Sequence, residues 1–411
     1  MIEGTARRTA ERAARESYGR LVAILSARTR DLAATEDALA DAFSQALRTW
    51  PVSGVPARPE AWLLTAARRV LGHGARHTRV REAAATALAM MAEEAATAEA
   101  GAARDLRLNL LFVCAHPAID PAIQAPLMLQ TVLGLDAARI AACFLVAPAA
   151  MGQRLVRAKV KIRDAAIGFT LPEARDLPGR LDAVLRAIYA AYGTGWDDAF
   201  ATDARHHALS DEAIWLARLI VALLPAAPEA KGLLALMLHC EARRAARRDA
   251  SGRFVPLARQ DTAHWTPSMT VEAESLLRDA AQAGAPGRFQ IEAAIQSAHA
   301  QRAFTGVIPW SAIVALYTLL ERLAPSIGVR VAHAAALAEA GDPIRALVLL
   351  DEIGPAAGSY QPWWATRARA LHRAGQDAAA RLAYESAARL SDDAAVRGYL
   401  RAQMGAGSGL V

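Results

Sequence analysis

The stretch from Gly134 to Lys161, GLDAARIAACFLVAPAAMGQRLVRAKVK, constrains the fold most, because its punctuation sets two short helices on either side of a tight turn. Asp136 stands where an N-cap belongs, and its carboxylate can accept an orphan amide proton of the helix AARIAACFL. Pro148 has no amide proton and a pre-set φ, so it ends one helix and suits the start of the next, predicted from Ala149 to about Ala165. On that second helix Met151, Leu155, Ala158 and Ile162 recur at helical spacing along one side. Arg154, Arg157 and Lys161 line another side, flanked by Gln153, Lys159 and Arg163, and no acid occurs between Gln153 and Arg163. This arrangement sets a second helix into a DNA major groove. A solvated basic face on an ordinary core helix has the same pattern.

The length of 411 residues calls for two to four domains. Alanine and leucine dominate, aromatics are 6%, and no run of alternating β-branched residues stands out, so the expected fold class is all-α. No stretch is long and uncharged enough to span a bilayer. The first twenty residues carry Arg7, Arg8, Glu11, Arg12 and Glu16 in place of a signal-peptide core, which points to the cytoplasm. Cys114, Cys143 and Cys240 are odd in number and form no CxxC pair, which argues against a disulfide framework or a structural zinc site. Residues 1–165 hold 22 Lys and Arg against 16 Asp and Glu, while the remainder holds 25 of each. All of the net +6 is therefore N-terminal, as for a polyanion-binding module joined to a protein-interaction module.

Residues 9–50 read as helices with Tyr18, Leu21, Val22 and Leu25, then Leu39, Phe43 and Leu47, directed inward, closed by Trp50-Pro51. Glu36, Asp37 and Asp41 are predicted on the exposed side, either as acids at the positive end of a solvated helix or as a partner surface. After a Pro/Gly loop, PEAWLLTAARRVLGHGARHTRVR is expected to bury Trp62, Leu63 and Ala66. It presents Arg68, Arg69, Arg76, Arg79 and Arg81 with His73 and His77, and no acid occurs between Ala61 and Arg81. A second basic helix makes two nucleic-acid contacts the expectation. Gly72 and Gly74 cost roughly 1 kcal/mol each in a helix interior, enough to end or bend it. Residues 83–104, rich in Ala, Glu and Thr, read as a linker.

The succession of TEDALADAF, PEAWLLTAARR, an Ala/Glu linker, LNLLFVCAHPAI and GLDAARIAACFLVAPAAMGQRLVRAKVKIRDA resembles an extracytoplasmic-function RNA polymerase sigma factor of the sigma-70 family. It is similar to the subgroup with a long tetratricopeptide-like C-terminal extension, and the likeness continues through GFTLPEARDLPGRLDAVLRAIYAAY and GRFQIEAAIQSAHA. The resemblance implies a region 2-like domain over 1–82, the linker over 83–104, a region 4-like helix-turn-helix domain over 105–168 and a helical extension over 169–411. It implies that Asp37, Asp41 and Phe43 dock on core RNA polymerase, and that Arg68, Arg69, Arg76 and His77 face the promoter −10 element. Gln153, Arg154 and Arg157 would enter the −35 major groove, with Lys159, Lys161 and Arg163 on phosphates. The implied partners are promoter DNA, core polymerase and a protein partner of the extension, with no membrane, cofactor or metal.

The chain departs from the family pattern where function would lie. Ala40 stands where the core-binding helix usually has Gln, and Leu71-Gly72-His73-Gly74-Ala75-Arg76 replaces an Ile-Asp-Arg-Leu-Arg-like run. Arg139 replaces a usual Glu, and Pro126 is expected to kink a helix that the family keeps regular. The alternative reading is therefore a degenerate sigma-derived DNA-binding regulator that does not initiate transcription.

Within the extension Leu337 and Leu371, Ala340 and Ala374, Gly341 and Gly375, and Ala346 and Ala380 are each 34 apart, clearest over 329–392. That period is the tetratricopeptide signature, an array that presents a concave surface to a protein partner. Packing alone also accounts for the repeated residues. An enzyme would have to use His206-His207, His239-Cys240-Glu241, His264 and His299, or Tyr189 with Asp197 and Asp198. Adjacent helical residues diverge by about 100°, so His239 and Cys240 do not share a ligand face. No HExxH, GxSxG or phosphate-cradling Gly loop is present. Catalysis is not expected, and His239 and His299 are read as core or interhelical histidines.

Overall fold

The computed structural model describes residues 2–74, 102–144, 146–173, 175–197 and 204–405. The regular elements among them are all helices, so the chain is all-α. It divides into two compact units, Met1–Leu223 and Leu224–Val411. The sequence boundary at 168/169 lies inside the first of these.

The first unit begins with α1 (Ile2–Thr29), α2 (Leu32–Ser53) and α3 (Pro59–Gly74). Asp31 caps α2, its carboxylate accepting the Ala34 amide at 3.0 Å. Leu21, Val22 and Leu25 of α1 are buried with Leu32, Leu39 and Trp50 of α2 and Leu63 of α3. Leu47, expected inside, is 49% exposed. Residues four apart drift by about 40° on a helix, so Ala42, Ala46 and Trp50 hold the inner face from which Leu47 has turned away. Pro51 does not close α2, which runs to Ser53 and ends where the Gly54 amide donates to the Trp50 carbonyl at 3.1 Å. Trp62 lies edge-on to Trp50 with ring centroids 5.5 Å apart. Gly72 does not end α3, which continues to Gly74.

Next come α4 (Ala102–Cys114), α5 (Pro121–Leu133), α6 (Ala137–Cys143), α7 (Pro148–Asp164), α8 (Leu177–Asp197) and α9 (Ala204–Leu223). The last residues of the expected linker thus start α4, and residues 75–101 lie outside the described segments. Pro126 is buried inside α5. α1 packs on α4 and α5 as well as on α2 and α3, so residues on both sides of the linker form one packed body. The approach of α1 to α5 is close enough to demand glycine: a Cβ on Gly19 would stand 2.2 Å from the Val132 carbonyl oxygen. α8 and α9 pack on each other and on α4, and for this reason they belong to the first unit rather than to a separate extension.

The second unit comprises α10 (Pro228–Ala242), α11 (Pro267–Ala281), α12 (Arg288–Ala300), the single turn α13 (Arg302–Thr305), α14 (Trp310–Leu323), α15 (Ile327–Glu339), α16 (Pro343–Ile353), α17 (Gln361–Arg373), α18 (Asp377–Arg389) and α19 (Ala394–Gly405). The 34-residue period maps onto two helix pairs, α15/α16 and α17/α18. Gly341 and Gly375 make the equivalent turns with φ of 99° and 74°, values that favour glycine. Leu337, Leu371, Ala346 and Ala380 are buried between the paired helices. His239 and His299 are buried, His239 with its Nε2 3.4 Å from the Glu274 carboxylate of α11 and His299 edge-on to Trp310.

Candidate nucleic-acid interface

α6 and α7 both begin where the punctuation of the sequence places them. The Asp136 carboxylate accepts the Arg139 amide at 2.8 Å, and Pro148 is the first residue of α7. Met151, Leu155, Ala158 and Ile162 are buried, each with at most 6% exposure, and they fix the roll of α7 about its own axis. That roll decides what every charged side chain on the helix can reach.

At about 100° per residue, Arg154, Arg157 and Lys161 fall on one flank of the buried stripe, whereas Lys159 and Arg163 fall on the other. Gln153 points directly outward. Arg154, Arg157 and Lys161 are exposed and form no ion pair with a described residue, and Gln153 is exposed beside them. The other flank faces α2. Lys159 is 7% exposed and its ammonium is bonded to the Glu36 carboxylate. Arg163, half exposed, approaches Asp31 at 4.0 Å and Asp164 at 3.0 Å.

Two expectations are corrected here. Lys159 does not stand free for a phosphate, because it is four residues after Leu155 and three before Ile162 and so rolls inward with them. Glu36 does not lie on the exposed side of α2, because it turns under α7 to meet Lys159, leaving one carboxylate oxygen enclosed with no hydrogen bond. Burial raises the Glu36 pKa, and the attraction of Lys159 only partly opposes it. The periodicity that marked Met151, Leu155, Ala158 and Ile162 already put Lys159 at the edge of the buried stripe. Its acidic partner is 123 residues away and carried no local signal.

On α2, Asp37 and Asp41 are exposed one turn apart, and Phe43 is half-buried. On α3, Arg69 is exposed and Arg68 is half-buried, with its pKa lowered first by burial and then by the neighbouring Arg28 guanidinium. Arg76 and His77 lie outside the described residues, as do the side chains of His206 and His207. Among the described residues no three of His, Cys, Asp and Glu gather in a way that would hold a metal ion. No helix among them is long and apolar enough to cross a membrane.

Fold and surface together define an all-α protein of two helical units, the first carrying an exposed cationic helix face. The chain is 36% identical over 382 residues to an uncharacterized protein of Rhizobium meliloti (strain 1021), a match that covers 91% of this chain and 90% of that protein. It belongs to the same family as that protein. Residues 180–281 match the family of unknown function DUF6596, a segment that runs from the first turn of α8 to the last residue of α11. No solved structure matches the chain significantly.

Proposed function

We propose that this protein is a sigma-like transcription initiation factor whose first unit binds core RNA polymerase and promoter DNA, with the helical extension as its regulatory part. One observation carries the reading: the outward stripe of Gln153, Arg154, Arg157 and Lys161 on α7, which follows the shorter, Asp136-capped α6 and has no acidic partner among the described residues. A helix so presented can put an arginine bidentately on a guanine edge in the major groove while a lysine one or two turns on meets phosphate. Exposed Arg69 on α3 supports a second, backbone-directed contact, suited to a single strand where charge counts for more than groove readout. The exposed pair Asp37 and Asp41 on α2 supports a separate acidic face for the polymerase.

The second reading, a sigma-derived DNA-binding regulator that does not initiate transcription, is favoured by the use of Glu36. An acid of the expected docking helix is spent inside the protein on Lys159, which leaves a smaller acidic face. Copurification with core polymerase and run-off transcription separate the two. The initiation-factor reading expects binding that Asp37→Lys with Asp41→Lys weakens without unfolding the chain. Wild-type protein that binds DNA but not core polymerase would transfer the case to the second reading.

A further inference from the structure

The first unit contains a second place where positive charge has no ion-pair partner among the described residues, and it is built from two helices. α1 and α3 each connect to α2 through a short turn and pack on it, so they run in the same direction. The Ser17 hydroxyl donates to Glu60 Oε1 at 2.9 Å, which sets their relative height. From that rung Arg68 lies eight residues along α3 and Arg28 eleven along α1. At about 1.5 Å per residue their levels differ by roughly 4.5 Å, within reach of two arginine side chains.

Arg68 is half-buried, and its Nε is enclosed with no acceptor. Neither Arg68 nor Arg28 forms an ion pair with a described residue, and the Arg68 pKa is lowered first by burial and then by the Arg28 charge. The negative end of α1 accounts for a basic residue in its last turn, but it does not account for a desolvated guanidinium on α3 beside that residue. Arg69 and Arg30 are also exposed, and Asp31, next after Arg30, is engaged as the α2 cap. Two guanidinium forks with no carboxylate of a described residue paired to them match a tetrahedral oxyanion, whose several acceptor oxygens can take donors from both sides.

We infer that Arg28 and Arg68 form a two-arginine site for a single backbone phosphate of nucleic acid, with Arg28 as a contact residue on α1. The inference rests on the reading of the first unit as a nucleic-acid binder and adds a specific seat for the strand on α3. Arg68 supplies a fork pre-set by its surroundings, and Arg28 closes over the anion from the exposed side. Because both hold the same phosphate, their contributions are coupled rather than additive.

The test uses the full chain with Arg28→Gln, Arg68→Gln and the double variant. The first measurement is melting temperature in inorganic phosphate against chloride at matched ionic strength. Wild type should be stabilised by phosphate, and each single variant should lose that stabilisation. The second is the salt dependence of binding to a single-stranded oligonucleotide, where one lost phosphate contact lowers the slope by roughly 0.7. Each single variant should show that drop and the double variant no more, while Arg28→Lys retains the wild-type slope. Slopes that are unchanged, or that fall additively to twice the single value, overturn the site, and so does phosphate stabilisation that survives Arg28→Gln. A protein with the coupled slopes intact but no affinity for core polymerase keeps the phosphate site and loses the initiation-factor reading.

Discussion

Replacing Lys159 by methionine tests the roll of α7 directly. The side chain is 8% exposed and its partner Glu36 is 12% exposed, so the substitution leaves a carboxylate nearly out of water with no counter-charge. Removing one partner of a buried pair costs about 3–5 kcal/mol, whereas replacing both by apolar residues of similar volume is often neutral. At about 1.4 kcal/mol per factor of ten, native-state hydrogen exchange of the amides in α2 and α7 should accelerate by roughly 10²- to 10³-fold or more in Lys159→Met. Lys159→Met combined with Glu36→Leu should recover most of the protection. The deficit should also depend on pH. Stranded Glu36 has a folded pKa raised above its unfolded value, so acidification protonates it and shrinks the loss, while the loss grows as pH rises above the ordinary carboxylate range. Full protection in the single variant, together with a drop of about one in the salt slope of DNA binding, would show that Lys159 is a phosphate contact and that the buried pair is wrong.

Arg154→Ala should relax sequence preference at one base by about 1–3 kcal/mol, while Lys161→Ala leaves preference intact and flattens the salt dependence by about one, as read by competition on a randomised library at two salt concentrations. Equal, sequence-independent losses from both would reduce the helix to a basic surface. His239 and His299 are both pushed down to about 4, first by burial and next by Arg243, so the folded state resists protonation that the unfolded chain accepts. Their contribution, on the order of 3 kcal/mol each, is present above about pH 6.5 and is lost as pH falls toward 4. Melting temperature against pH should fall across that window and flatten in His239→Gln with His299→Gln. Gly19→Ala should destabilise the first unit by about 1–3 kcal/mol in denaturant titration, because the new Cβ meets the backbone of α5 at Val132. A neutral result would mean that α1 and α5 do not approach as described.

What the sequence made legible was local. Asp136, Pro148 and the stripe Met151, Leu155, Ala158 and Ile162 specify two helices and the inner face of the second, since caps and periodicity act within a few residues. The 34-residue spacing likewise located both turns at Gly341 and Gly375. Pro51 was misleading for a related reason. A proline in a helix costs one hydrogen bond and some ring crowding, and the burial of Trp50 beside it outweighs that cost, so α2 runs on to Ser53. The affiliation of α8 and α9 with the first unit rests on packing against α4 and α5, which no local pattern announces.

The buried pair also changes how the charge of the first unit should be read. Lys159 with Glu36, and more loosely Arg163 with Asp31, remove bases from α7 and the same number of acids from α2, so the N-terminal excess of +6 is unaltered while its geography sharpens. What remains exposed on α7 without an acidic partner among the described residues is the flank of Arg154, Arg157 and Lys161, and what remains on the outward face of α2 is Asp37 with Asp41. A polyanion binding at α7 would meet it without Asp31 and Glu36 of α2, the one held as a cap and the other turned inward. A cationic partner docking on α2 would meet it without competition from Lys159. Had Lys159 and Glu36 both faced solvent, each would have carried opposite charge into the other's surface at a range shorter than the ~8 Å screening length of physiological salt. Pairing them internally separates an anion-seeking face from a cation-seeking one within a single packed body.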